Sequence, residues 1–300
     1  MGGFVAAISN INIDIIYENL TRIPKLGEEV FSKGFDIQIG GGYAASLIAL
    51  SRLGADARLG TLLSNDILSR FASSELEKNN VKVTNLYNGE KSPLMISSII
   101  TFPEDRCFIT YKPEEDVLKY SDEKIYSVIT GATICMRYDG HEEVFKTIQK
   151  EGTKAIYDVG WSDDLSIKKL ENNLKDVYVF TPNEKEALKM TGAKTLEQAL
   201  KIISGYVENV IITMGEKGCM SIINGQIVTV PSLSVFKAID TTGAGDAFLG
   251  GLAYGLLNKW DIVECMKLGN VLGGYSTTEY GCCKAYLTKE KAEEYMKLWD

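Results

Sequence analysis

Apolar residues arrive in short runs along most of this chain, and the spacing of the runs predicts alternating strands and helices. Phe4 to Ser9 is a compact apolar run, the pattern of a strand covered on both faces. Asn12 and Asp14 then alternate with isoleucines, and a period of two places both polar side chains on one face. That face reads either as the wet side of an edge strand or as two hydrogen-bonding groups aimed together, suited to gripping hydroxyls. Phe31 to Ile39 alternates weakly and breaks at Gly40-Gly41-Gly42. Tyr43 to Leu53 follows with helical spacing and stops at Gly54. Ala57 to Leu62 and Val81 to Leu86 read as strands around a helix at Ile67 to Asn79. Met95 to Phe102 and Cys107 to Tyr111 read as a hairpin turning at Pro103-Glu104-Asp105-Arg106. With 11–16 and 33–39, these strands are expected to form a small separate sheet.

Beyond that point the alternation becomes regular. Ala132 to Met136, Ala155 to Val159, Val177 to Thr181 and Val210 to Met214 are β runs. Helical patterns at 141–150, 165–174, 184–191 and 196–207 lie between them or follow them. Such alternation predicts βαβ units and a mostly parallel sheet flanked by helices, whose ligands bind at the carboxyl ends of the strands. Asp158, the stretch from Thr181 to Glu186, and the stretch from Thr213 to Gly218 all sit at such ends. Asn183 and Glu186, three apart at a helix start, fit a capping pair as well as a ligand-facing pair. Val263 to Thr278 is a helix rich in small residues, including Gly269, Asn270, Gly273 and Gly274. It suits either close approach to a ligand or tight packing, and 288–298 predicts a last amphipathic helix.

One heptapeptide stands apart. Asp240-Thr241-Thr242-Gly243-Ala244-Gly245-Asp246 feeds straight into the apolar run Ala247 to Leu257. A helix start presents N–H groups without intrahelical partners and the positive end of the helix dipole. Glycines let that backbone approach an anion closely, and two aspartates bracket the turn. The parts suit phosphoryl transfer, although a plain capping turn has the same composition.

Composition narrows the field. The 300-residue chain is 45% hydrophobic and 24% charged, with a net charge of −8, which suits a globular protein and argues against nucleic acid or an anionic membrane as main partner. Six cysteines without a C-x-x-C pair read as thiols in a reducing, cytoplasmic setting. His141 is the single histidine, so Ser-His and Cys-His mechanisms are not expected, nor is a catalytic role for His141 itself. Neither a signal peptide nor a membrane-spanning run is expected. No G-x-x-x-x-G-K-[ST] string occurs, and Gly40-Gly41-Gly42 is not a dinucleotide fingerprint.

Taken together and in order, these stretches resemble the PfkB family of carbohydrate kinases, and the similarity spans nearly the whole chain. The string from Asp240 to Phe248 resembles the family's C-terminal signature, and Gly40-Gly41-Gly42 with Arg52-Leu53-Gly54 resembles its N-terminal one. Asn183-Glu184-Lys185-Glu186 and Thr213-x-Gly215-x-x-Gly218 match two further motifs. The resemblance implies a Rossmann-like ribokinase fold over residues 1–300, with a small β-sheet lid formed by about 11–39 and 92–112. It implies ATP-dependent phosphorylation of a hydroxyl on a sugar or sugar derivative. Asp246 is then the general base, and the backbone of Gly243, Ala244 and Gly245 the anion hole. Asn183 and Glu186 orient Mg²⁺ through water; Thr213, Gly215, Gly218 and Asn270 hold the nucleotide. Asn12, Asp14, Gly41 and Gly42 bind the sugar, with Tyr43 as an added wall. Arg106 at the lid hairpin reads either as a contact for an anionic substrate group or as a solvated turn residue. Asp240 and Thr242 correspond to a monovalent-cation site, which brings in K⁺. Pairing of two lids into a homodimer is a further expectation. One departure stands out: the Asn that family members carry after the glycines is missing from Tyr43-Ala44-Ala45-Ser46. A nucleoside kinase of the same family and a non-catalytic sugar or nucleotide sensor are the competing readings.

Overall fold

The computed structural model describes residues 2–103, 105–285 and 287–299. In chain order its first elements are β1 (Phe4–Ile8), β2 (Asn12–Glu18), β3 (Gly34–Ile39), α1 (Tyr43–Arg52), β4 (Asp56–Thr61), α2 (Ile67–Lys78) and β5 (Val81–Asn85). The hairpin β6 (Met95–Thr101) and β7 (Arg106–Tyr111) follows, then α3 (Asp122–Ile129), β8 (Ile134–Met136), α4 (Glu142–Lys150), β9 (Lys154–Tyr157), α5 (Ile167–Leu174) and β10 (Val179–Phe180). The chain continues through α6 (Glu184–Thr191), α7 (Leu196–Ile203), β11 (Asn209–Thr213), β12 (Cys219–Ile223) and β13 (Gln226–Val230). It finishes with α8 (Ala244–Leu257), α9 (Ile262–Ser276) and α10 (Lys289–Met296).

Among the described residues the strands form two sheets. The large one has the order β13-β12-β11-β10-β9-β8-β1-β4-β5, and the lid has the order β3-β2-β6-β7. The large sheet is parallel from β11 through β5 and closes with an antiparallel ribbon, β11-β12-β13. That ribbon and α3 lie outside the expected element list. The expected turn at 103–106 is shorter than anticipated, because Arg106 already belongs to β7; Glu104 within it lies outside the described residues.

The core explains the apolar runs. Val5, Ala6, Ala7 and Ile8 of β1 are fully buried, as covering both faces of a parallel strand requires. Helix α8 is apolar all round and buried from Ala247 to Leu256. It lies between α1 and α9 at very short range: a Cβ on Gly250 would stand 2.6 Å from the Ser46 carbonyl, and one on Gly251 2.8 Å from that of Leu268. This close packing fixes the start of α8 against the start of α1. The two glycine turns that precede those helices therefore meet.

Candidate active site

Asp246 lies in the first turn of α8 and faces the triple glycine that precedes α1. The Gly42 N–H donates to its Oδ1 at 3.0 Å. A Cβ on Gly41 would stand 2.6 Å from its Oδ2, so only glycine leaves that oxygen room. Burial, with a smaller contribution from the Asp14 charge, raises Asp246 to about 7 against the opposing Gly42 hydrogen bond. A carboxylate so placed matches the working range of a base at neutral pH.

The turn ahead of Asp246 is held by geometry as well as by sequence. Gly243 has φ +77°, and a Cβ there would meet the Cys282 backbone at 2.8 Å. No side chain caps α8, so its dipole and leading amides face the adjoining cleft. That cleft, of about 810 Å³, is lined by Thr213, Gly215, Gly218, Thr241, Ala244 and Gly245, and on its apolar side by Phe236 and Phe248. Gly218 takes φ +88°, with the Val230 carbonyl 2.1 Å from where a Cβ would sit. Asn270 also lines the cleft; its Nδ2 donates to Val230 O at 3.0 Å and Pro231 O at 3.2 Å, and its side chain also hydrogen-bonds Cys219. Its observed work is to tie the end of β13 to α9.

On the other side of Asp246, strand β2 presents Asn12 and Asp14 together, as its alternation predicts. Asn12 Nδ2 donates to Asp14 Oδ1 at 2.7 Å, and Ser97 Oγ from β6 stands 3.3 Å from the same amide. Asp14 is almost fully buried, and burial raises it to about 6 despite the Asn12 hydrogen bond. Gly40 makes this possible, since a Cβ there would lie 2.6 Å from Asn12 Nδ2 and 2.7 Å from Asp14 Oδ1. Cys282 Sγ completes the wall, 4.0 Å from Asp14 Oδ2. Gly40 and Cys282 are absent from the expected set; nothing local in the sequence marks Cys282.

A third group gathers at the carboxyl edge of the large sheet. Asn183 and Glu186 form a capping box on α6: Asn183 Oδ1 accepts from Lys185 N and Glu186 N, and Glu186 Oε2 accepts from Asn183 N at 2.9 Å. The side-chain oxygen of Asn183 is thus committed to the helix, and the Glu186 carboxylate is hydrogen-bonded by both the backbone and the side chain of Asn183. Asp158, just past β9, is pushed well above the usual carboxylate range by burial and by the Asp246 and Glu186 charges. Its place at a strand end was legible; its coupling to Asp246 was not. Burial also raises Glu186. Among the described residues, no three His, Cys, Asp or Glu side chains converge as a direct metal cage. A set of carboxylates that repel one another nonetheless has the donor chemistry for a hydrated Mg²⁺.

Two of the expected residues have partners within the chain. The Tyr43 hydroxyl donates to Arg137 O at 2.8 Å and accepts from Asp158 N at 3.2 Å, tying α1 to the ends of β8 and β9. Arg106 pairs through its Nη1 with Asp240 Oδ1 at 2.8 Å and keeps 29% of its side chain exposed. His141 binds Asp122 through Nδ1 at the junction of α3 and α4, apart from these groups.

The profile of the pfkB family carbohydrate kinases matches residues 3–289. A deoxyribokinase of Salmonella typhi is 26% identical over 314 residues, covering 98% of this chain and 99% of that one. Among solved structures, Arabidopsis thaliana ribokinase complexed with ribose and ATP superposes with a TM-score of 0.79 at 20% identity, covering 99% of both chains. Phosphofructokinase-2 of Escherichia coli in complex with potassium gives a TM-score of 0.77 at 16% identity, again over 99% of both.

Proposed function

This chain belongs to the pfkB family of carbohydrate kinases, and from that premise we propose that it transfers the γ-phosphoryl group of ATP to a hydroxyl of a small sugar, with Asp246 as general base. The observation that carries the proposal is the position of Asp246. One of its oxygens accepts from Gly42 N–H and the other faces Gly41; the residue is next in chain to the Ala244 and Gly245 that line the cleft at the start of α8 and close enough to Asp14 to feel its charge. Asp14 and Asn12 grip acceptor hydroxyls and orient one of them toward Asp246. Asp246 takes the hydroxyl proton as the oxygen attacks, and the Gly243–Gly245 backbone stabilises the charge on the group in transit. Mg²⁺, when bound, neutralises phosphate oxygens; Glu186, joined to Asn183 by the capping box, and Asp158 are the side chains that fit it through water.

The first turn of α1 offers Ala44 and Ala45, both buried, where family members carry a hydrogen-bonding Asn. A site without that contact favours an acceptor that lacks the matching hydroxyl. Deoxypentoses therefore head the substrate panel, and the deoxyribokinase among the relatives points the same way. A panel of pentoses, deoxypentoses, hexoses and nucleosides, scored by Mg²⁺-dependent ADP release, tests the reading. The expected result is strong stimulation by one small sugar. ADP release with a nucleoside alone would move the assignment to a nucleoside kinase, and binding without turnover to a sensor. The lid face opposite Asp14 carries exposed Tyr17, Phe35, Ile109 and Tyr111, which supports a lid-paired homodimer, measurable by light scattering.

A further inference from the structure

Asp240 and Thr242 occupy the positions at which the family resemblance brings in a monovalent cation, and their surroundings do not suit one. The two oxygens of Asp240 accept four hydrogen bonds. Oδ1 takes Thr242 N at 3.0 Å, Thr242 Oγ1 at 2.7 Å and Arg106 Nη1 at 2.8 Å; Oδ2 takes Gly281 N at 2.9 Å. Thr242 spends its hydroxyl proton on that same carboxylate. The nearby Thr277 carbonyl already accepts from Ile239 N and Asp240 N. A cation needs oxygen acceptors, whereas this cluster points donors inward and already contains a guanidinium. A second positive charge beside it would be repelled.

The guanidinium comes from far away in sequence. Arg106 opens β7 of the lid, lies over the Phe108 ring at 5.7 Å, and reaches a carboxylate that is itself nearly buried. Asp240 in turn fixes the amide of Thr242, the residue before Gly243, and the amide of Gly281, whose neighbour Cys282 packs against Gly243. Donors to both oxygens, led by the Gly281 N–H, hold Asp240 below its ordinary range in spite of burial.

We propose that Arg106 is a positioning residue that supplies, from the lid, the fixed positive charge at Asp240. Closing the lid thereby sets the Thr242–Gly245 turn, and the enzyme works without a monovalent cation. The inference rests on the kinase reading above, and its test separates the two. Turnover and thermal unfolding of the parent are measured in potassium, sodium and tetramethylammonium chlorides at equal ionic strength, beside Arg106→Ala, Arg106→Lys and Arg106→Gln. The parent is expected to be indifferent to the cation in both measurements, since an ion that binds the folded state raises its melting temperature. Arg106→Ala is expected to lose about tenfold or more in turnover through a misplaced turn. Added guanidinium, or the Lys variant, restores part of that loss, and the Gln variant restores none. A purely structural arginine would not show guanidinium rescue. Potassium that speeds or stabilises the parent several-fold overturns the proposal, and so does an Arg106→Ala chain with parental turnover and melting. If the parent releases no ADP with any acceptor, the kinase reading fails on its own. Hydrogen exchange across residues 106–111 and 240–245 then decides the latch: faster exchange in both segments of Arg106→Ala supports it, and unchanged exchange ends it.

Discussion

The two sides of Asp246 are built by opposite means. Toward the cleft at the start of α8, the proposed nucleotide side, the part beside Asp246 is backbone: a left-handed Gly243, the uncapped start of α8 and the loop glycines Gly215 and Gly218. Toward the proposed acceptor side, it is side chain: Asp14, Asn12, Ser97 and Cys282, drawn from three segments far apart in sequence and admitted by Gly40. A backbone cradle tolerates change in the side chains around it and fixes the reaction type, whereas a side-chain pocket is where identity is set. The contrast explains why the reaction is plainer than the sugar.

Asp246→Asn breaks the comparison at its centre. Steady-state assays should show about a 10³-fold loss of turnover or more, as for removal of a general base. The same variant should melt higher than the parent at pH 8. The folded chain holds the Asp246 proton up to about 7 against 3.8 for the free side chain, so the folded state binds more protons between those values and loses stability as pH rises through them. Asn carries no charge to bury, and its advantage should shrink as pH falls toward 3.8. Equal melting at pH 8 would contradict the burial account.

Gly41→Ala strikes the same carboxylate from the α1 side. Its methyl would sit 2.6 Å from Asp246 Oδ2, and a displacement of that kind should cost about 100-fold in turnover. Circular dichroism should remain near the parental spectrum. Asp14→Ala sharpens the acceptor side alone: the KM for the sugar should rise roughly 10- to 100-fold, the range for a lost hydrogen bond to a charged group. The KM for ATP should stay close to that of the parent. A matched rise in both would erase the division between the two sides.

The smallest effect is on pH dependence. With Asp246 near 7, kcat/KM should climb about tenfold per pH unit up to that value and then level off. The limb should steepen below about 6, where Asp14 also takes a proton. Asp14→Asn, which removes a neighbouring negative charge that raises Asp246, should move the main inflection to lower pH. An inflection that stays put would show that the two carboxylates do not sense each other.

Features whose cause is local were legible in the chain. The β runs of the parallel sheet, the glycine turns, the Asn183–Glu186 capping box and the pairing of Asn12 with Asp14 on one face all follow from spacing over a few residues. Two elements lie outside that reading: α3, and the antiparallel ribbon β12-β13, although Asn224-Gly225 between two β-branched runs is itself a local hairpin signal. The starting point of α8 within the turn, at Ala244, also needed the structure.

By itself, then, the sequence determined the sheet and the glycine turns, and with the order of its motifs the family, because backbone conformation answers to near neighbours. The tertiary structure alone decided where long side chains end. Arg106 finds Asp240 across 134 residues, Tyr43 crosses to Arg137 and Asp158, and Asn270 turns its amide to Val230. A polar group left without a partner costs free energy when water is withdrawn, and which partner comes within reach is fixed only when distant segments pack.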